Sequence, residues 1–118
     1  MRHMLEYARI ARRMVASRTR ADLDTDEMLR LATTRAVEVI GEAARRVSPE
    51  TRQHHPAIPW SQAAGTRDRL VHGYDQVDLD VLWDILSLDL PPLILELERI
   101  LGPEGDEARE DSPGTMIK

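Results

Sequence analysis

Apolar side chains recur along this chain at three- and four-residue intervals, and that period constrains the fold more than any other feature. Met4, Leu5, Ala8, Ala11 and Val15 share one helical face, so the spacing predicts an amphipathic helix over about residues 2–18. Asp24-Thr25-Asp26-Glu27 then offers side-chain oxygens to the free amides of a new helix start. Leu29, Ala32, Ala36, Val39, Ile40, Ala43 and Val47 mark the expected buried stripe of that second, long helix. Ser48-Pro49 should close it and cap a short helical turn, with proline at its permitted first position.

Pro56–Pro59 reads as a connector, and Pro59-Trp60 opens a further helix through Ala63, Ala64, Arg67 and Leu70, expected to stop at Gly73. Asp78 is placed to cap the last helix, with Val77 and Leu82 as a hydrophobic staple. Leu79, Leu82, Leu86, Leu93, Leu97 and Ile100 form its expected stripe, which Pro91-Pro92 must kink or split. The apolar palette agrees: Leu, Ile, Val, Ala and Met dominate, with two Trp, two Tyr and no Phe. The expectation is an all-α, antiparallel bundle of four to five helices. With 118 residues there is room for one domain, residues 1–101. Residues 102–118, rich in Gly, Pro and acids, should form a disordered tail.

The absence of cysteine excludes disulfides, thiol catalysis and zinc–thiolate sites. No apolar run approaches the roughly 20 residues of a membrane span, and the basic N-terminus lacks a signal-peptide core. A cytoplasmic protein is therefore expected. The net charge of −5 hides an asymmetry. Residues 1–74 carry thirteen Arg against nine acids, whereas residues 75–111 carry two Arg against twelve acids. That balance argues against a general nucleic-acid or DNA binder, whose surface would be basic throughout. The acidic half could dock a basic partner or serve solubility.

At the seam lies Arg67-Asp68-Arg69-Leu70-Val71-His72-Gly73-Tyr74. It combines a permanent cation, a side chain that titrates near neutrality and a phenol. Metal-free RNA cleavage needs a base to take the 2′-hydroxyl proton and an acid to protonate the leaving 5′-oxygen. Histidine suits either role, and arginine clamps the charge that grows on the phosphoryl oxygens. Five residues separate Arg67 from His72, about 140° around a continuous helix. A helix ending at Gly73 would let the imidazole swing back, with the helix C-terminus favouring its charged form. One histidine per chain is meagre for both roles, and a two-fold dimer would supply the second. The bland alternative is that His72 caps a helix and Tyr74 packs on Val77. His54-His55 reads as a surface pair without metal-ligand spacing. Trp60 and Trp83 read as core or interface anchors.

The chain resembles the HEPN superfamily, and within it the HepT-like toxins of toxin–antitoxin pairs. The likeness runs from about Met4 to Leu101. It rests on the segment from Arg35 to Arg46, Ser48-Pro49-Glu50, Ile58-Pro59-Trp60, the octapeptide, Val77-Asp78-Leu79 and the segment from Asp89 to Leu93. The family signature is Arg, a small polar residue, then His-x-Tyr, matched by Arg67, Asp68, His72 and Tyr74. The resemblance implies an all-helical homodimer that cleaves RNA without metal or cofactor, with Arg67 and His72 of both subunits lining the cleft. It also implies a minimal nucleotidyltransferase antitoxin (MntA-like) that attaches AMP to Tyr74 and silences the nuclease. One departure is Asp75, where many relatives carry an aromatic residue; with Asp68 it leaves two carboxylates near the cleft. The competing reading is a catalytically silent, nucleotide-binding dimer that serves a partner transferase. A plain helical interaction protein ranks last, because it leaves Arg, His and Tyr together unexplained.

Overall fold

The computed structural model describes residues 1–72 and 76–105, and for residues 72 and 103–105 the backbone only. The bundle is all-α, as the period predicts, with one two-residue ladder. In order, α1 is Arg2–Val15, α2 Arg20–Thr25, α3 Glu27–Arg45, α4 Pro49–His54, α5 Trp60–Ala64 and α6 Thr66–Leu70. Then β1 (Val71–His72) pairs antiparallel with β2 (Gln76–Val77), followed by α7 (Leu79–Asp84), a π-helical turn (Ile85–Asp89) and α8 (Leu90–Gly105).

The long helices run antiparallel. Arg9 on α1 bonds Glu98 at 2.7 Å, whereas Arg12, one turn on, reaches back to the Leu86 carbonyl at 3.1 Å. Likewise Arg2 and Tyr7, near the start of α1, share a groove with Val39 and Arg46, near the end of α3. Between these rods Met4, Leu5, Ala8, Leu23, Val37, Leu82, Leu86 and Leu97 are almost wholly buried. No helix among the described residues is long and apolar enough to cross a membrane.

The caps fall where the sequence places them. The Asp26 carboxylate accepts from the Leu29 amide at 3.0 Å, and that bond, with Arg18 adding, holds its carboxyl below the usual carboxylate range. Ser48 accepts from the Thr51 amide, with Pro49 opening α4. Asp78 accepts from the Val81 amide at 3.1 Å.

Four expectations need correction. Helix α1 ends at Val15 rather than residue 18, because Ala16 turns extended and Ser17 takes a left-handed φ of 65°. An extra helix, α2, precedes Asp26, started by a Thr19–Asp22 capping box. On α3 the buried face is Leu29, Thr33, Ala36, Val37, Ile40, Gly41 and Ala44, while Ala32 is exposed and Val39, Ala43 and Val47 are half-buried. Fourth, the chain leaves helical geometry at Leu70: Val71 is extended (φ −96°, ψ 123°).

The double proline splits the last helix by a defined route. In an α-helix Leu86 would bond the amide of residue 90. Here the Leu90 amide bonds Ile85 five residues back, and Pro91 has no N–H to offer Leu86. The guanidinium of Arg12 takes up that orphaned carbonyl. The expected tail falls partly outside the described residues, and Gly102, with φ 73°, is where helical geometry breaks.

Candidate active site

Helix α6 is set against α3 by a close approach at Gly41. A Cβ there would lie 3.3 Å from the Ala63 carbonyl oxygen and 3.7 Å from the Thr66 Cβ. Thr66, buried at that contact, satisfies its hydroxyl by donating to the Ala63 carbonyl at 2.7 Å. Arg45 Nε donates to the Ala64 carbonyl at 3.2 Å, tying the same helix to the junction. On the opposite side Arg69 reaches Asp89 at 3.1 Å and anchors α6 to the π turn.

Within this frame Arg67 and Asp68 are both exposed. Among the described residues the Arg67 side chain has no hydrogen-bond or ion-pair partner. It borders two adjoining grooves. One is lined by Glu38, Asp68, Val71 and Val77, the other by Arg35, Glu38, Gly41, Glu42, Arg45 and Ala64. The cation thus sits on open surface with carboxylates of α3 and of its own helix beside it.

The position of His72 differs from the expectation. It lies on β1, two residues beyond the end of α6, with its Cα opposite Gln76. Below it the Asp78 amide donates to the Leu70 carbonyl at 2.7 Å. His72 therefore lies off the helix, and the rotation expected for one continuous helix does not apply. Gly73, Tyr74 and Asp75 lie outside the described residues, as does any helical continuation toward Tyr74.

A family model for Ribonuclease HepT-like proteins matches residues 4–100. The chain belongs to the HepT-like family. Curated relatives agree along most of its length. A Thermococcus cleftensis protein named "Probable ribonuclease HepT" is 38% identical over 79 residues, 67% of this chain and 72% of the relative. A Caldanaerobacter subterraneus subsp. tengcongensis protein named "Putative RNase TTE0752" is 31% identical over 104 residues, covering 88% of this chain and 93% of its own. A Methanocaldococcus jannaschii protein named "Putative RNase MJ1380" is 38% identical over 82 residues, 65% and 75% of the two chains. No solved structure matches.

Other candidates in this HepT-like chain resolve into structural roles. Trp60 is buried, donates from Nε1 to the His55 carbonyl at 2.9 Å and carries the Arg52 guanidinium 5.9 Å from its ring centre. Trp83 is half-buried against the core. His54 is exposed at the end of α4 and His55 supplies backbone contacts. The small pocket between α3, α6 and the π turn, bordered by Arg69 and Asp89, holds about 20 Å³, room for roughly one water. Sequence reading missed Arg69–Asp89 and the role of Gly41. A glycine inside an apolar helical run was the available signal for the latter.

Proposed function

We propose that this HepT-like protein is a metal-independent endoribonuclease, the toxin of a toxin–antitoxin pair, held silent by AMPylation of Tyr74. The observation that carries this reading is the contrast on α6 between Arg69, bonded to Asp89, and Arg67, exposed and without a partner among the described residues. The family membership gives that cation its context. In the proposed reaction one His72 takes the proton of a ribose 2′-hydroxyl, whose oxygen bonds to the adjacent phosphorus. The bond from phosphorus to the 5′-oxygen breaks, that oxygen takes a proton from the second subunit's histidine, and a 2′,3′-cyclic phosphate remains. Arg67 binds the phosphoryl oxygens as their charge grows. Asp68, one position on, supports the polar edge of the groove.

The regulatory half of the proposal follows the family resemblance. An AMP group on Tyr74 would add a phosphate two residues from His72 and compete for the Arg67 cation. The test is RNA cleavage and intact mass for protein purified alone and after co-expression with a neighbouring minimal nucleotidyltransferase. The expected result is active, unmodified protein alone, and silent protein carrying AMP on Tyr74 after co-expression. A Tyr74→Phe variant should stay active under both conditions. AMP on another residue would refute the switch.

One observation favours the second reading, a silent nucleotide-binding dimer. Glu38 and Asp68 border the same groove as Arg67 and oppose a polyanion there. That reading predicts no cleavage by the unmodified protein together with nucleotide binding lost in Arg67→Ala.

A further inference from the structure

One of the grooves beside Arg67 borders a larger one along α3. Arg35 and Glu42 line both the groove holding Arg67 and a third groove between the start of α1 and the end of α3. This third groove encloses about 730 Å³, against 130 Å³ beside Arg45, so it has room for nucleotides. Its rim carries Arg2, His3, Arg35 and Arg46, and Tyr7 lies half-buried in its wall. The acids that face these cations are Glu6 and Glu42, with Glu38 beside Arg35.

Most arginines outside this groove are held by side-chain hydrogen bonds. Arg9, Arg12, Arg18, Arg20, Arg30, Arg52 and Arg69 each donate side-chain hydrogen bonds to carboxylates or carbonyls. Arg2 has none among the described residues. Arg35 and Arg46 have only stretched helical pairs, at 3.7 Å to Glu38 and 3.9 Å to Glu42. Arg46 is 82% exposed. Such exposed pairs are weak in water and yield readily to a phosphate. Off this path, Arg13 has no side-chain partner among the described residues and Arg99 has only an exposed pair with Glu96 at 3.3 Å, so weak tethering alone is not the signature. What distinguishes Arg2, Arg35 and Arg46 is that they line one groove, which shares Arg35 and Glu42 with the groove beside Arg67.

We propose that this groove carries the flank of a single-stranded RNA whose scissile phosphate lies at Arg67, with Arg2 and Arg46 contacting phosphates and Tyr7 offering a ring to a base. The inference rests on the RNA-cleavage reading and adds a substrate-length requirement to it. It also gives the basic half of the chain a function that the octapeptide does not supply.

The test uses 2′-O-methyl RNA oligonucleotides, which cannot be cut, at lengths of four and twelve residues. Binding is measured across a salt series for wild type, the Arg2→Gln/Arg46→Gln double variant and Arg13→Gln. Wild type should bind the twelve-residue strand more tightly. The double variant should lose most of that advantage, and its log affinity against log salt should flatten by about 1.4, or ~0.7 per phosphate contact. Arg13→Gln should match wild type. Equal binding of both lengths by wild type, or an unchanged length advantage in the double variant, overturns the groove while cleavage of unmodified RNA still stands. Failure both to bind either strand and to cleave RNA overturns the RNA reading itself.

Discussion

Arg69 lies two positions beyond Arg67, a rotation of about 200° on a helix, so the two cations cannot serve the same surface. Arg69 turns inward and its bond to Asp89 fastens α6 to the π turn. Arg67 is left on the open side, available to a phosphate. The sequence shows both arginines in one octapeptide but does not say which is committed, because Asp89 lies twenty residues away. Gly41 has the complementary role of letting α5 and α6 approach α3. Gly41→Ala adds a Cβ 3.3 Å from the Ala63 oxygen, and the helix propensity it gains, about 1 kcal/mol, should roughly offset that crowding. Gly41→Val adds two more methyls at the same point and should cost about 1–3 kcal/mol. Thermal unfolding checks this: the Val variant should melt several degrees below the Ala variant. Equal melting temperatures would remove Gly41 from the account.

At the scale of elements, the parts legible in the sequence are those governed locally. Asp26, Ser48 and Asp78 accept the amide bonds of helix starts as their residue types predict. Pro91-Pro92 breaks the regular ladder, by a π turn that shifts the bonding by one residue. The face of α3 was harder to read. Ala32 and Ala36 look equivalent as apolar residues, but Ala36 is buried and Ala32 exposed, while polar Thr33 is buried with its hydroxyl donating to the Leu29 carbonyl at 2.8 Å. A polar residue that bonds its own helix can enter a core, and an apolar count does not register that. The end of α6 was misplaced for a tertiary reason. The Asp78 amide takes the Leu70 carbonyl and the ladder pairs Val71 with Val77, so strand pairing ends the helix before Gly73 is reached.

At the scale of the whole molecule, the proposed site needs a second copy, since each chain contributes one His72. Helix α3 carries an exposed apolar pair, Met28 at 80% and Leu31 at 63%. Leu31 lies seven residues, about two turns, before Glu38, which borders the Arg67 groove beside Val71. We propose that a second copy covers this stripe, bringing two octapeptides together while the groove near Arg46 stays open. Leu31→Glu should then shift the light-scattering mass from dimer to monomer and abolish cleavage with the fold intact. An active monomer would refute the shared cleft. The central claim is that Arg67 and His72 carry metal-independent RNA cleavage. Its most direct measurement is the rate of RNA cleavage in excess chelator for wild type, Arg67→Ala and His72→Ala. Wild type should retain its full rate and each variant should lose at least about a hundredfold, the usual range for an acid–base or charge-stabilising group. Equal rates in all three, or a wild-type rate that collapses with chelator and returns with added metal, would contradict the account.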